Sequence, residues 1–150
     1  MFVTSQFSIF MVNKPGILAH ILVEFAKGKI NITAMTVMDS VEHGVLRVVF
    51  DNPELAEKVL TATNLPFNKT DVLCVNLDNR AGALAGVAEK LASSHINISY
   101  AYCTSGLKGG RTIGILKVAD VKKAMKVLQE GKKATKSQPV IRRHQATSRI

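Results

Sequence analysis

Lys14-Pro15-Gly16-Ile17-Leu18-Ala19 returns 66 residues later as Arg80-Ala81-Gly82-Ala83-Leu84-Ala85. At the same spacing, Ile30-Asn31-Ile32-Thr33 returns as Ile96-Asn97-Ile98-Ser99, and Gly44 as Gly110. Lys58-Val59-Leu60 matches Lys126-Val127-Leu128 after a shift of two residues. One matched tetrapeptide is what chance produces; ordered matches at one spacing are the mark of a duplicated unit.

The signals around each copy repeat as well. Gln6 to Val12 is rich in Phe, Ile, Met and Val and predicts a strand. Asn13-Lys14-Pro15-Gly16 is turn chemistry. Ile17, Leu18, Ile21, Leu22 and Phe25 then follow helical spacing, with Gly28 as the expected C-cap. Residues 30–38 and 45–50 predict two more strands joined by a loop. Asn52-Pro53-Glu54 predicts a helix start, with Asn as cap and Pro in the first turn. Phe67 to Leu77 predicts a long strand placed to close the first unit and open the second. The second unit continues with a helix over 82–94, strands over 96–103 and 111–118, and a helix over 120–130.

Strand, helix, strand, strand, helix, strand is the split βαβ order of a ferredoxin-like fold. The expected class is therefore α+β, with two tandem βαββαβ units, antiparallel sheets, and helices on one sheet face. The other face needs a cover, which the repeats can provide for each other or a second chain for both. The expected division is residues 1–69, residues 70–131, and residues 132–150 as a basic tail or a closing edge strand. After the last helix no strand pattern follows: Val140-Ile141 is the only apolar pair nearby. The second unit thus reads as incomplete or edge-exposed.

The turn before the first helix of each unit carries the sharpest chemistry. Glycine there allows a positive φ or a close backbone approach. The first amides of the helix lack partners inside the helix and favour an anion such as a carboxylate. Asn13 and Asn79 both donate and accept hydrogen bonds, which suits a group bearing both charges. The alternative is that Asn-x-x-Gly only caps the helix and turns the chain. Asn31 and Asn97 open otherwise apolar strands, where Asn is disfavoured. They either pin the helix-to-strand turn or reach a ligand at an interface.

The Gly turn, the apolar helix after it and the Asn-Ile strand start together resemble the ACT domain family, and over roughly residues 4–130 the arrangement is similar to stand-alone tandem ACT proteins. The resemblance implies a regulatory, amino-acid-binding module that dimerises, with ligands at interfaces between units. It places one ligand loop on Asn13, Lys14, Pro15, Gly16, Ile17 and Leu18, with Asn31 and Ile32 on the facing strand. It places the copy on Asn79, Arg80, Ala81, Gly82, Ala83 and Leu84, with Asn97 and Ile98. Ala81 replaces the proline of the first loop, which favours the first copy as the better-formed site. The function implied is non-catalytic amino-acid sensing. The alternatives are a regulatory subunit of a biosynthetic enzyme such as acetolactate synthase, or a basic-tailed adaptor for nucleic acid or protein.

The charge of the chain is +9, but it is local. Residues 1–107 hold eight Lys/Arg against nine Asp/Glu, and residues 108–150 hold twelve against two. A solvated, mobile end is the first reading of this stretch, ahead of contact with nucleic acid or an acidic partner. Tyr100 and Tyr102 alternate on one strand and read as packing or interface residues before they read as an RNA-stacking pair. Cys74 and Cys103 make neither a disulfide framework nor a metal spacing, and the four histidines share none. No catalytic constellation assembles, so no enzyme and no cofactor is expected. No secretory signal or membrane span is read, and a cytoplasmic protein is expected.

Overall fold

The computed structural model describes residues 1–39, 43–104 and 112–136. In chain order the elements are β1 (Phe2–Val12), α1 (Ile17–Lys27), β2 (Ile32–Asp39), β3 (His43–Phe50), α2 (Pro53–Ala62), β4 (Phe67–Leu77), α3 (Ala83–Ser93), β5 (Ile98–Cys103), β6 (Thr112–Val118) and α4 (Val121–Lys136). The strands form one antiparallel sheet in the order β2-β3-β1-β4-β6-β5.

That order contains two ferredoxin-like units laid over one another. The first is β4-β1-β3-β2, and the second, read the same way, is β1-β4-β6-β5. The two central strands are shared: each opens one unit and closes the other. The ladder register locates the symmetry. Ser5 pairs with Asp71, and these residues are also 66 apart, so a pseudo-twofold axis passes between them. A closing strand from the C-terminal segment has no place beside β4, because β1 already fills it. Instead α4 continues through Gly131 to Lys136, past the helix end expected at residue 130. Residues 137–150, including the Val140-Ile141 pair, lie outside the described residues. The boundary expected at residues 69 and 70 falls inside β4.

Side-chain alternation builds three cores. Phe7 and Ile9 of β1, Leu46, Val48 and Phe50 of β3, and Ile21, Phe25, Ala56 and Leu60 of the helices form the first. Phe25 meets Phe50 edge-on at 5.0 Å, and Phe7 lies between Phe50 and Phe67. Pairs of this kind add about 0.5–1.5 kcal/mol each beyond their burial. Leu73, Val75, Leu91, Leu116, Val118, Ala124 and Leu128 form the corresponding core under α3 and α4. Gly28 closes α1 in right-handed geometry, and the left-handed residue is Lys29. Glycine is required at position 28 for space: a Cβ there would stand 2.6 Å from the Val59 side chain of α2.

The third core lies on the face away from the helices and joins Ala34, Val49, Val72, Cys74 and Ile115, with Tyr102 packed against them. At its centre Gln6 of β1 is fully buried. Its Nε2 donates to the Tyr100 hydroxyl at 2.8 Å and to Ser8 Oγ at 3.2 Å, and its Oε1 accepts from the Tyr102 hydroxyl at 3.0 Å. In a flat sheet β1 and β5 would stand three strand spacings apart, roughly 14 Å, beyond what side chains on one face can bridge. The sheet is therefore curled until its outer strands β2 and β5 touch. The repeats cover each other's open faces, and the tyrosine pair is packing: Tyr100 also lies 4.1 Å beneath the Arg47 guanidinium of the other unit. Burial raises the Tyr102 hydroxyl above its usual range.

The same burial pushes the Cys74 thiol up to about 11, while Cys103 is exposed. A thiol both buried and protonated is inert. Titration of the native protein with a thiol-reactive disulfide is expected to label Cys103 alone, and denaturation should release Cys74. Two fast-reacting thiols in the native state would mean the curled sheet opens readily.

Candidate ligand-binding site

The two Gly turns have nearly the same backbone. Gly16 has φ 86° and ψ −17°, and Gly82 has φ 83° and ψ −6°, both left-handed. The Lys14 N–H donates to Val12 O at 3.0 Å and the Arg80 N–H to Asp78 O at 2.8 Å. The Ile17 N–H donates to Lys14 O and the Ala83 N–H to Arg80 O, both at 3.3 Å. Replacing Pro15 by Ala81 has left the turn unchanged.

The other two helices start differently. Asn52 Oδ1 accepts from the Leu55 N–H at 3.0 Å, and Asp120 Oδ1 from the Lys123 N–H at 2.9 Å. In α1 and α3 the cap position is held by Gly16 and Gly82, not by the asparagines, and a glycine has no side chain with which to cap. Among the described residues, a Cβ built on either glycine meets nothing within 4 Å, so these residues leave the space above both turns open. Asn13 and Asn79 are exposed and each has an interaction partner within the protein. Lys14, Pro15, Arg80 and Ala81 are exposed. Ile17 and Leu18 pack against the first core; Ala83 packs against the second, while Leu84 faces outward.

The strand starts lie elsewhere. Asn31 and Asn97 are exposed, and Ile32 and Ile98 pack at the margins of the two helix-side cores. The Asn31 carbonyl accepts from the Asp51 N–H at 3.1 Å, which pins the turn before β2. A bulge follows each Asn-Ile pair, between Ile32 and Ala34 and between Ile98 and Tyr100. Through the ladders, Ile32 and Ile98 stand level with Ser5 and Asp71, at the pseudo-twofold waist. Each Gly turn begins eight residues further along its strand, roughly 26 Å away. The sequence-derived site residues thus fall into three places: one turn at each end of the sheet, and both Asn-Ile starts at its middle. Within one chain a turn and its own unit's strand start cannot contact one small molecule.

The second turn borders a cavity of about 350 Å³. Arg80, Gly82 and Ala83 line it together with Asp78 at its mouth, Val75 and Leu77 from β4, Gly86, Val87 and Lys90 from α3, Leu128 from α4, and Met1. Arg80 Nε lies 3.6 Å from Asp78 Oδ2, and both side chains are largely exposed. A larger groove, about 500 Å³, runs between α1 and α2 over His20, Lys27, Val59 and Thr63. It is an outer surface that starts one helical turn beyond Gly16, at His20, and carries the Lys27–Glu24 ion pair, whose hydrogen bond lowers the Glu24 carboxyl below its ordinary value. The cavity at Gly82 was not singled out from sequence. Its signal is the small size of Ala83 and Gly86 against Ile17 and His20 at the matching positions.

Among the described residues no group of three His, Cys, Asp or Glu can hold a metal ion. No helix among them is long and apolar enough to cross a membrane.

Residues 1–138 match the profile of the ACT domain pair. A protein of known structure from Bacteroides thetaiotaomicron is 31% identical, with a TM-score of 0.79, covering 87% of this chain and 89% of its own. The regulatory subunit of aspartate kinase from Thermus thermophilus has the same fold at 14% identity, with a TM-score of 0.60 and coverage of 87% and 97%. The corresponding subunit from Thermus flavus superposes at a TM-score of 0.52 and 13% identity, covering 87% and 96%. No match is found among curated proteins.

Proposed function

The chain belongs to the ACT domain pair family, and from that premise we propose that it is a non-catalytic regulatory protein that binds an amino acid. The observation that carries this reading is the twin left-handed glycine turn, which opens two helices without a side-chain cap and, among the described residues, leaves free space above each helix start. First-turn amides and the helix dipole favour a carboxylate there. Nearby asparagine, aspartate and backbone carbonyl groups supply acceptors for an ammonium.

Regulation follows if the ligand favours one packing of the units over another, since a ligand shifts an equilibrium only by its differential affinity for the two states. The shared strands β1 and β4 make that coupling direct, because a change in one unit's sheet is a change in the other's. The partner in this reading is a biosynthetic enzyme; regulatory subunits of aspartate kinase share the fold. Self-association is part of the same reading. Phe10 and Met38 flank Val45 in the ladder on the face away from the helices, and both are exposed, as is Val12 on the same face. A cytoplasmic site of action fits a metabolite sensor.

A thermal-shift screen over the twenty proteinogenic amino acids tests the reading. Ligand at about 100 times its Kd adds roughly 2.7 kcal/mol of stability, which raises the melting temperature by several degrees. At least one amino acid is expected to do this; if all twenty leave the melting temperature unchanged, the proposal fails.

A further inference from the structure

We propose that α4 is a docking surface for the phosphate backbone of a nucleic acid, which it holds without reading sequence. This partner is separate from any ligand of the glycine turns.

The duplication supplies the comparison. Lys58-Val59-Leu60 of α2 stands where α4 has Lys126-Val127-Leu128. Over Pro53–Leu60 and Val121–Leu128 burial is the same position for position, with Ala56 and Leu60 inside the first unit as Ala124 and Leu128 are inside the second. The two helices thus pack alike and differ on their outer faces. Where α2 has Glu54, Leu55 and Glu57, α4 has Lys122, Lys123 and Met125. α2 uses its acid within the fold, Glu57 pairing with Lys69 at 2.6 Å. Lys122, Lys123 and Lys126 are exposed and make no ion pair among the described residues.

α4 also runs on to Lys136, past the position where α2 ends. At about 100° per residue, helix positions 122, 126, 133 and 136, all lysine, lie within about 80° of one another, away from Ala124 and Leu128. The stripe is roughly 21 Å long. Glu130, the one acid of the helix, lies to its side. Residues 1–120 hold eleven Lys/Arg against ten Asp/Glu, and residues 121–150 hold nine against one. The net charge of the chain therefore belongs to α4 and the segment after it, which adds Arg142, Arg143 and Arg149 and no acid.

The occupant follows from what the stripe lacks. Lysine is depleted in protein interfaces, where aromatic and apolar side chains anchor the contact, and the stripe carries neither. Insertion into a membrane needs a free apolar helix face, and that of α4 is buried in the second core. A row of lysines matches a row of phosphates. Tyr100 and Tyr102 are engaged with Gln6 and are not free to stack on bases. Contacts to the backbone alone position a nucleic acid and do not specify its sequence.

Fluorescence anisotropy of the full chain tests this, with a labelled DNA duplex of about 20 base pairs and a single-stranded RNA of the same length, at about 50 to 200 mM salt. Log affinity should fall with log salt at a slope of about −3.6 on the duplex or about −2.8 on the single strand, for four lysines. Lys122→Gln/Lys126→Gln should keep the parent's melting temperature, weaken duplex binding at least about tenfold and make that slope shallower by about 1.8. Lys29→Gln/Lys58→Gln removes the same charge from the first unit and should leave affinity unchanged. A chain ending at residue 136 should still bind both probes. Failure to bind either probe, or equal losses in the two double variants, overturns the proposal. Binding that survives Lys122→Gln/Lys126→Gln but vanishes with residues 137–150 overturns it too. So does capture by phosphatidylserine vesicles, or salt-sensitive self-association through these lysines, with neither probe bound.

Discussion

Residues 66–136 produced alone are expected to lack a cooperative unfolding transition, while residues 1–78 fold. The two fragments have similar lengths and each carries two helices, so the difference lies in the strands. The first contains all four of its unit, in the order β4-β1-β3-β2. The second contains only β4, β6 and β5, because its closing strand is β1, at the far end of the sequence. Without β1, the ladder from Phe2 opposite Cys74 to Ile9 opposite Phe67 is lost. β4 then becomes a long unpaired edge, the arrangement that invites aggregation. A chain of this size has only a few kcal/mol in hand, and one strand of four exceeds that. Circular dichroism melts of the two fragments check the prediction. Adding a peptide of residues 1–12 to the second fragment should restore part of its structure. A sharp melt of residues 66–136 alone would show that the shared strand is dispensable.

What could be read from the sequence was whatever is written locally. The duplicated Gly turn, the Asn-Pro helix start and the long Phe67–Leu77 strand each carry their own chemistry, and the element order of both units followed from them. β1's second role could not be read. Strand pairing is a choice of partner and register between distant segments, and nothing within Phe2–Val12 differs from a strand that serves one unit. The expectation of an incomplete second unit came from searching for a closing strand downstream of α4. The duplicated register, with Ser5 opposite Asp71, supplies that strand from upstream. The same limit applies to the site. The turns were legible as turns, but the cavity at Gly82 depends on Met1 and Leu128, which reach it only after folding. Likewise Asn31 and Asn97 were legible as a repeated pair, while their distance from the turns follows only from the ladders.

Gln6 is a large polar residue in an apolar strand, fully buried in the structure. Gln6→Leu is expected to destabilise the protein by about 2–4 kcal/mol, since it keeps the volume but strands the Tyr100 and Tyr102 hydroxyls, and a buried polar group without a partner costs about 1–3 kcal/mol. For a chain of this size that corresponds to a fall in melting temperature on the order of 10 °C. The triple variant Gln6→Leu/Tyr100→Phe/Tyr102→Phe should recover most of the loss, because removing both sides of a hydrogen bond leaves nothing unpaired. Recovery is what separates this from a simple packing defect, which two further deletions would deepen. The cycle also reads how tightly the repeats are joined. Gln6 lies in the first unit's opening strand and the tyrosines in the second unit's edge strand, so their coupling energy measures the closure of the curled sheet. A neutral Gln6→Leu would mean that the apolar third core alone holds the two faces together. A large coupling makes the waist the element through which a ligand at Gly82 would be felt at Gly16.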